Sequence, residues 1–324
     1  MTSDGSRSHH RPMLGALLAT LLFSASAVSA TRTARLMGGT EANFWRLALA
    51  ALLLGLYAHT LGGGTGGGAY HIFAVSGVLG FALGDVSLFQ SLTRLGTRLT
   101  VMLVNTLAAP IAALTEWLWL GTTLTPTEIA CAGLILAGVA VALAPGEHVH
   151  IEPRKFWIGI FAGFLAACGQ AWGAVLSRKA FSLAAAAGQE IDGGTASYQR
   201  IVAGVAVAGL CLLVVKWRWV FAHGRQAMAA SDAELDLPDS AQKWRGAWPW
   251  IVMNTLCGPT FGVSCFQWAL KTTATGVVLP IVALTPLVVI PFAAKFEGEK
   301  PGARSLAGGV LAVAGAVALA LARG

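Results

Sequence analysis

Ten stretches of mostly apolar residues, each close to twenty long, leave this chain few folds to choose from. They run over 13–31, 43–60, 71–92, 101–121, 126–145, 156–177, 197–215, 249–269, 274–294 and 304–322. A helix needs about 20 residues to cross the hydrocarbon core of a bilayer. Inside that core every backbone N–H and C=O must be paired within the protein, so only helices and closed barrels can span it. None of the ten stretches alternates apolar and polar residues as a barrel strand does. The expectation is an all-α integral membrane protein with about ten transmembrane helices. Composition agrees, because 56% of residues are hydrophobic and only 11% are charged. A soluble domain carries roughly 25% charged residues; this chain has too few to cover a water-facing surface.

The net charge of +7 does not point to nucleic acid, which demands basic residues gathered into a stripe. Here the Lys and Arg mostly punctuate the gaps between apolar stretches, as membrane anchoring requires. The five cysteines, Cys131, Cys168, Cys211, Cys257 and Cys265, lie inside apolar stretches with no metal-ligand spacing. Glu147-His148-Val149-His150-Ile151-Glu152 could hold a divalent ion, but an ordinary polar loop is the preferred reading. Gly62–Gly68 lacks the ending of a phosphate loop and reads as a flexible linker. No cofactor and no metal are expected. Near the start, Arg7–Arg11, the run Met13–Phe23 and Val28-Ser29-Ala30 mimic a signal peptide. The repeat described next needs this segment as a first transmembrane helix, which is the reading adopted.

Ser87-Leu88-Phe89-Gln90 recurs as Ser264-Cys265-Phe266-Gln267, a shift of 177, and Arg94 then meets Lys271. Asn43-Phe44-Trp45-Arg46-Leu47 is echoed by Ser197-Tyr198-Gln199-Arg200-Ile201, each with an aromatic two residues before an arginine. Gly15 pairs with Gly159, and Ser24–Ser26 with Cys168–Gln170. Each half therefore holds five helices, and an odd number inserts the second copy the opposite way up. The expected organisation is a first five-helix repeat over 1–145, a connecting loop over 146–155 and a second, inverted repeat over 156–324.

At this point the sequence resembles the drug/metabolite transporter superfamily, EamA-like branch. The resemblance rests on Arg46 and Arg200 opening the second and seventh helices, the Phe-Gln steps of the third and eighth, and Pro110 and Pro286 in the fourth and ninth. The turns Leu120-Gly121-Thr122 and Glu297-Gly298-Glu299 add to it. Family members often carry an acidic residue after that turn glycine; Glu299 fits, and Thr122 departs from the pattern. The resemblance implies movement of a small solute, with termini in the cytoplasm of a multi-pass cell-membrane protein. Loop charge implies the reverse orientation: 13 Lys and Arg lie in the odd-numbered loops against 6 in the termini and even-numbered loops, and positive residues favour the cytoplasm.

Ionisable groups inside a membrane are costly and are site candidates by default. Asp85, deep in the third helix, is poised to bind a cation or take up a proton, or to serve as partner to Arg46 or Arg94. Glu116 is a second coupling candidate, although its place before Trp117 and Trp119 suits a membrane interface. Arg46 and Arg200 sit at helix mouths, where snorkelling to headgroups is the expected role. Gln90, Asn105, Gln170, Trp172, Gln267 and Trp268 are the substrate-path candidates, since a solute pocket combines aromatic faces with a few hydrogen-bonding groups. Each has an alternative as an interhelical bond or a lipid-facing ring. The polar stretch 216–248, bracketed by Trp217, Trp219, Trp244, Trp248 and Trp250, marks one interface, and its acids Asp232, Glu234, Asp236 and Asp239 read as a solvated loop. Gly133, Gly138, Gly308 and Gly315 permit close helix approach within one chain or between two, so a homodimer joins solute and lipid among expected partners.

The function expected is secondary transport of a metabolite, amino acid or drug-like solute. The rival readings are a polytopic membrane enzyme, for which no clustered catalytic constellation is visible, and a non-transporting scaffold subunit.

Overall fold

The computed structural model of the protein describes residues 5–143, 152–227, 240–288 and 303–322. The turn at Glu297–Glu299, the acids 232–239 and residues 147–151 of the His/Glu tract lie outside them. In chain order the helices are α1 (Gly5–Met37), α2 (Gly39–Thr60), α3 (Tyr70–Gly77), α4 (Asp85–Leu120), α5 (Pro126–Leu143), α6 (Pro153–Ala186), α7 (Gly193–Ala227), α8 (Ser240–Thr255), α9 (Phe261–Thr272), α10 (Thr275–Val282) and α11 (Ala303–Leu321). Two π-helical segments, Val78–Gly84 and Leu256–Thr260, join α3 to α4 and α8 to α9. Among the described residues, Met13–Met37, Tyr70–Leu95, Leu103–Leu120, Pro153–Ala186 and Gly193–Trp217 are long and apolar enough to cross a bilayer. Shorter apolar helices cover Pro126–Ala142, Thr275–Val288 and Ala307–Leu319. With α2 and the α8–α9 unit they supply the ten passes expected from the sequence.

One reversal is concealed within α4. The hydroxyls of Ser91 and Thr100 lie 3.0 Å apart, whereas nine residues of straight helix would separate them by about 13.5 Å. The chain must fold back between them, so α4 contributes to two antiparallel passes. Ser91 Oγ also lies 3.0 Å from the Gly159 carbonyl, which fixes the reversal against α6.

Helix ends follow local chemistry. Thr125 and Glu128 form a reciprocal cap at the start of α5: Glu128 N–H donates to Thr125 Oγ1 at 3.2 Å, and Thr125 N–H to Glu128 Oε2 at 2.7 Å. Gly121 ends α4 with φ of +67°, a left-handed value that favours glycine. Asp192 caps α7, its Oδ1 accepting from Gly194 N–H at 2.8 Å and Thr195 N–H at 3.0 Å. Burial alone would raise the Asp192 pKa. Hydrogen bonds from the Thr195 hydroxyl and N–H, the Tyr57 hydroxyl and Gly194 N–H outweigh that and hold the carboxyl below its ordinary range. A depressed folded-state pKa means the cap stabilises fully above the unfolded value of about 3.9, and its contribution fades as pH falls through the folded value. Asp192→Ala is expected to lower stability by roughly 0.5–2 kcal/mol at neutral pH. Thermal melts at pH 7 and pH 3 check this: a deficit that fails to shrink in acid removes the ionised cap from the account.

The packing is twofold in character. α1 lies against α8 and α9, as α6 lies against α3 and α4; α2 packs on α7, α5 on α11, and α10 on α4. Exchanging the two halves maps this set of neighbours onto itself, which is the signature of the inverted repeat. The α5–α11 pair meets at Gly138 and Gly308, where a Cβ on Gly138 would stand 2.5 Å from Ala312 N and 2.7 Å from Gly308 O. Of the glycines expected to permit close approach, these two and Gly315, which lies against Ile135 and Cys131, therefore serve contacts within one chain. Ten passes return both termini to one face, here termed the terminal face.

Candidate solute cavity

The two π-helical segments occupy equivalent places in the two halves: a shift of 177 carries Val78–Gly84 onto residues 255–261, which contain Leu256–Thr260. A π turn holds an extra residue and bulges from the helix, and such bulges recur at functional sites. Each bulge faces an arginine from the opposite half. Arg46 of α2 lies beside the second segment, with Thr255 Oγ1 donating to the Arg46 carbonyl at 3.3 Å and a Cβ on Gly258 falling 3.5 Å from Arg46 Nη1. Arg200 of α7 lies beside the first, its backbone pressed on Gly77 and its Nη2 at 2.8 Å from where a Gly80 Cβ would stand.

Between these elements is a cavity of about 230 Å³. Among the described residues, Arg46, Asp85 and Arg200 are the charged ones that line it. Asp85 forms an ion pair with Arg46, and Arg46 Nε also donates to Asn43 Oδ1 at 2.9 Å. The Arg46 guanidinium stands 5.7 Å from the Phe89 ring and that of Arg200 5.3 Å from the Phe81 ring. Ser26 and Gln170, matched through the Ser24–Ser26 and Cys168–Gln170 pairing, both line the cavity. Ser26 Oγ donates to Asn254 Oδ1 at 2.7 Å and so joins α1 to α8. Apolar walls come from Phe23, Phe81, Leu88, Val104, Val263 and Phe266.

The chamber is lined asymmetrically along the membrane normal. Thr31, Leu92 and Val101 extend its lining toward the face opposite the termini. Toward the terminal face, Leu270, Val277, Val278 and Ile281 pack with Phe266 into a solid apolar cluster. Beyond that cluster Glu116 ties three elements together. Its Oε1 pairs with Arg178 Nε of α6 at 2.6 Å, and its Oε2 accepts from the N–H of Thr275 at 2.7 Å and from the Thr275 hydroxyl. Arg178 Nη1 donates onward to the Leu270 carbonyl at 3.2 Å.

Asp85, Asn105 and Gln170, together with Arg46 and Arg200, are thus brought to one cavity. The snorkelling role expected for the arginines is corrected, because Arg46 is 8% exposed and Arg200 5%, and both turn inward. Glu116, 2% exposed, is a buried clamp rather than an interfacial acid. Gln90 lies outside the cavity and accepts from Arg94 Nη1 at 2.6 Å. Gln267 is fully buried with neither amide atom hydrogen-bonded among the described residues, and it does not line the cavity. Trp172 and Trp268, at 40% and 37% exposure, lie outside the lining as well. Ser26, Asn254 and the two bulges were not singled out from the sequence, although Gly80, Gly84, Gly258 and Pro259 are helix-disrupting residues that flag the bulges.

Fold and site together define a class: a multi-pass helical membrane protein whose two inverted repeats enclose a charged chamber of solute size. The sequence profile of the EamA-like transporter family matches residues 10–144 and again 157–321. The chain belongs to the EamA-like transporter family. A solved structure described only as "Crystal structure of protein" superposes with a TM-score of 0.63, covering 96% of this chain and 97% of that one at 18% identity. That likeness is one of fold. No curated protein matches the sequence.

Proposed function

We propose that the protein is a secondary transporter that moves a small solute through the central cavity by alternating access between its two repeats. The observation that carries this reading is a chamber lined by matched positions of both halves, Ser26 with Gln170, Arg46 with Arg200, and one π-helical bulge from each. Rocking of one repeat against the other around such a chamber exposes it to each side in turn. Its volume falls below the roughly 300–1,000 Å³ of pockets for drug-sized ligands, which suits a metabolite. Family membership supports a cell-membrane location with both termini cytoplasmic.

Purified protein in sealed vesicles tests the reading. The expected result is saturable, solute-specific flux that runs down a gradient and supports counterflow. Catalytic turnover without flux would make the protein an enzyme, and neither activity would make it a scaffold. A reporter fused after Gly324 is expected to be active only in the cytoplasmic form; activity in the external form reverses the orientation.

A further inference from the structure

Resting on that reading, we propose that the transported solute carries a carboxylate or a comparable monoanionic group, and that Arg200 is its receptor. Among the described residues the lining holds two guanidinium groups and one carboxylate, which leaves one positive charge in excess. The two arginines differ sharply in how they are satisfied. Arg46 has the Asp85 carboxylate, the Asn43 side chain and the Phe89 ring. Arg200 has the Phe81 ring and the more distant attraction of Asp85. Its side chain makes no hydrogen bond among the described residues, and its buried Nε is left without an acceptor.

A guanidinium presents five donors and keeps its charge under any biological condition. Holding its Nε away from water without an acceptor is costly, and more so within a membrane. Local packing nevertheless keeps it there. Gly80 and Gly173 clear the space around Nη2, where a Cβ on either would fall at 2.8 or 3.3 Å. The missing element is an acceptor, and a carboxylate matches the planar donor fork in two parallel bonds. Phe23, Phe81 and Phe266 line the rest of the chamber with apolar surface, while Gln170 and Ser26 supply neutral polar groups. The ligand that fits is therefore a small amphipathic anion or zwitterion, its charged end on Arg200 and its apolar end against the rings.

The experiment uses the full chain in phosphatidylcholine nanodiscs and three compounds of matched size: phenylacetate, 2-phenylethanol and 2-phenylethylamine. Calorimetry is expected to show phenylacetate binding at least about tenfold tighter than the other two. Arg200→Gln is expected to weaken phenylacetate by roughly 10- to 100-fold and to remove its advantage over 2-phenylethanol, while a wild-type melting profile reports that the variant is folded. Arg200→Lys keeps the charge without the fork and is expected to fall between. Equal, weaker or undetectable phenylacetate binding by the wild type overturns the proposal, whether or not Arg200→Gln folds. So does a preference for the anion that persists in Arg200→Gln. Displacement of phenylacetate by added phosphatidylglycerol would assign Arg200 to a lipid headgroup and overturn the solute. Flux in vesicles separates the two levels: transport of the alcohol or the amine with no favour for the anion sinks this inference alone. Tight phenylacetate binding with no flux of any solute sinks the transport reading alone.

Discussion

Asp85→Ala is expected to cost the folded protein about 3–5 kcal/mol, because it strands the Arg46 guanidinium in a low-dielectric interior. Arg46 is anchored there by the rest of its surroundings: Asn43 holds Nε, and Thr255 binds its carbonyl. It cannot follow its lost partner to water without disturbing the contact between α2 and the bulge at Leu256–Thr260. The double variant Arg46→Met/Asp85→Leu removes both charges and is expected to recover most of that loss, since a buried pair gives little net stability over an apolar replacement. Chemical unfolding in mixed micelles measures both. A single variant that melts with the wild type would show that the pair is not buried as described. Asp85→Asn keeps a carbonyl acceptor for Arg46 and should fold, which makes it the variant for transport assays. Unaltered flux in Asp85→Asn would remove the Asp85 charge from the mechanism.

The second large effect is expected at Glu116→Ala, again about 3–5 kcal/mol, with Arg178 as the stranded charge. Glu116 does more than pair with Arg178. It also accepts from the first N–H of α10 at Thr275, where a carboxylate favourably meets the positive end of a helix. Glu116→Gln retains an acceptor for Thr275 but loses the charge, so it is expected to be milder. Because the clamp joins the α4, α6 and α10 ends at the terminal face, its loss should also loosen that face. In a background where Cys265 is the only cysteine, a membrane-impermeant maleimide applied from the terminal face is expected to label Cys265 faster in Glu116→Ala than in wild type. Unchanged labelling would make Glu116 a stabilising clamp with no part in closing that face.

The passes and their pairing were readable in the sequence because bilayer thickness dictates length, and because polar residues punctuate otherwise interchangeable apolar text. Arg46 and Arg200 were legible as a pair for the same reason. The direction in which each helix faces was not. A helix surrounded by lipid on one side and apolar neighbours on the other has no polar stripe to orient it. Gln170 and Trp172 illustrate the consequence. Two residues apart on a helix they point roughly 200° from one another, so both could not line one chamber, and the structure places Gln170 inside and Trp172 outside. Gln267 and Trp268 fail for a related reason, since one is fully buried and the other exposed, and neither lines the cavity. The bulges themselves leave only a weak trace, because a π turn differs from an α turn by one residue and shares its composition. Glu116 was misplaced because its partners, Arg178 and Thr275, lie 62 and 159 positions away in sequence.

Asp85 has no acidic counterpart. The shift of 177 that relates the halves carries it to Gly262, where the Phe23 ring fills the room that a side chain would need; a Cβ there would stand 2.7 Å from that ring. The two halves thus share their pattern of helix neighbours but not their charge. A machine with interchangeable halves would rest equally on either side of the membrane. Under the alternating access proposed above, a lone anion in one of them tilts the balance between the two states.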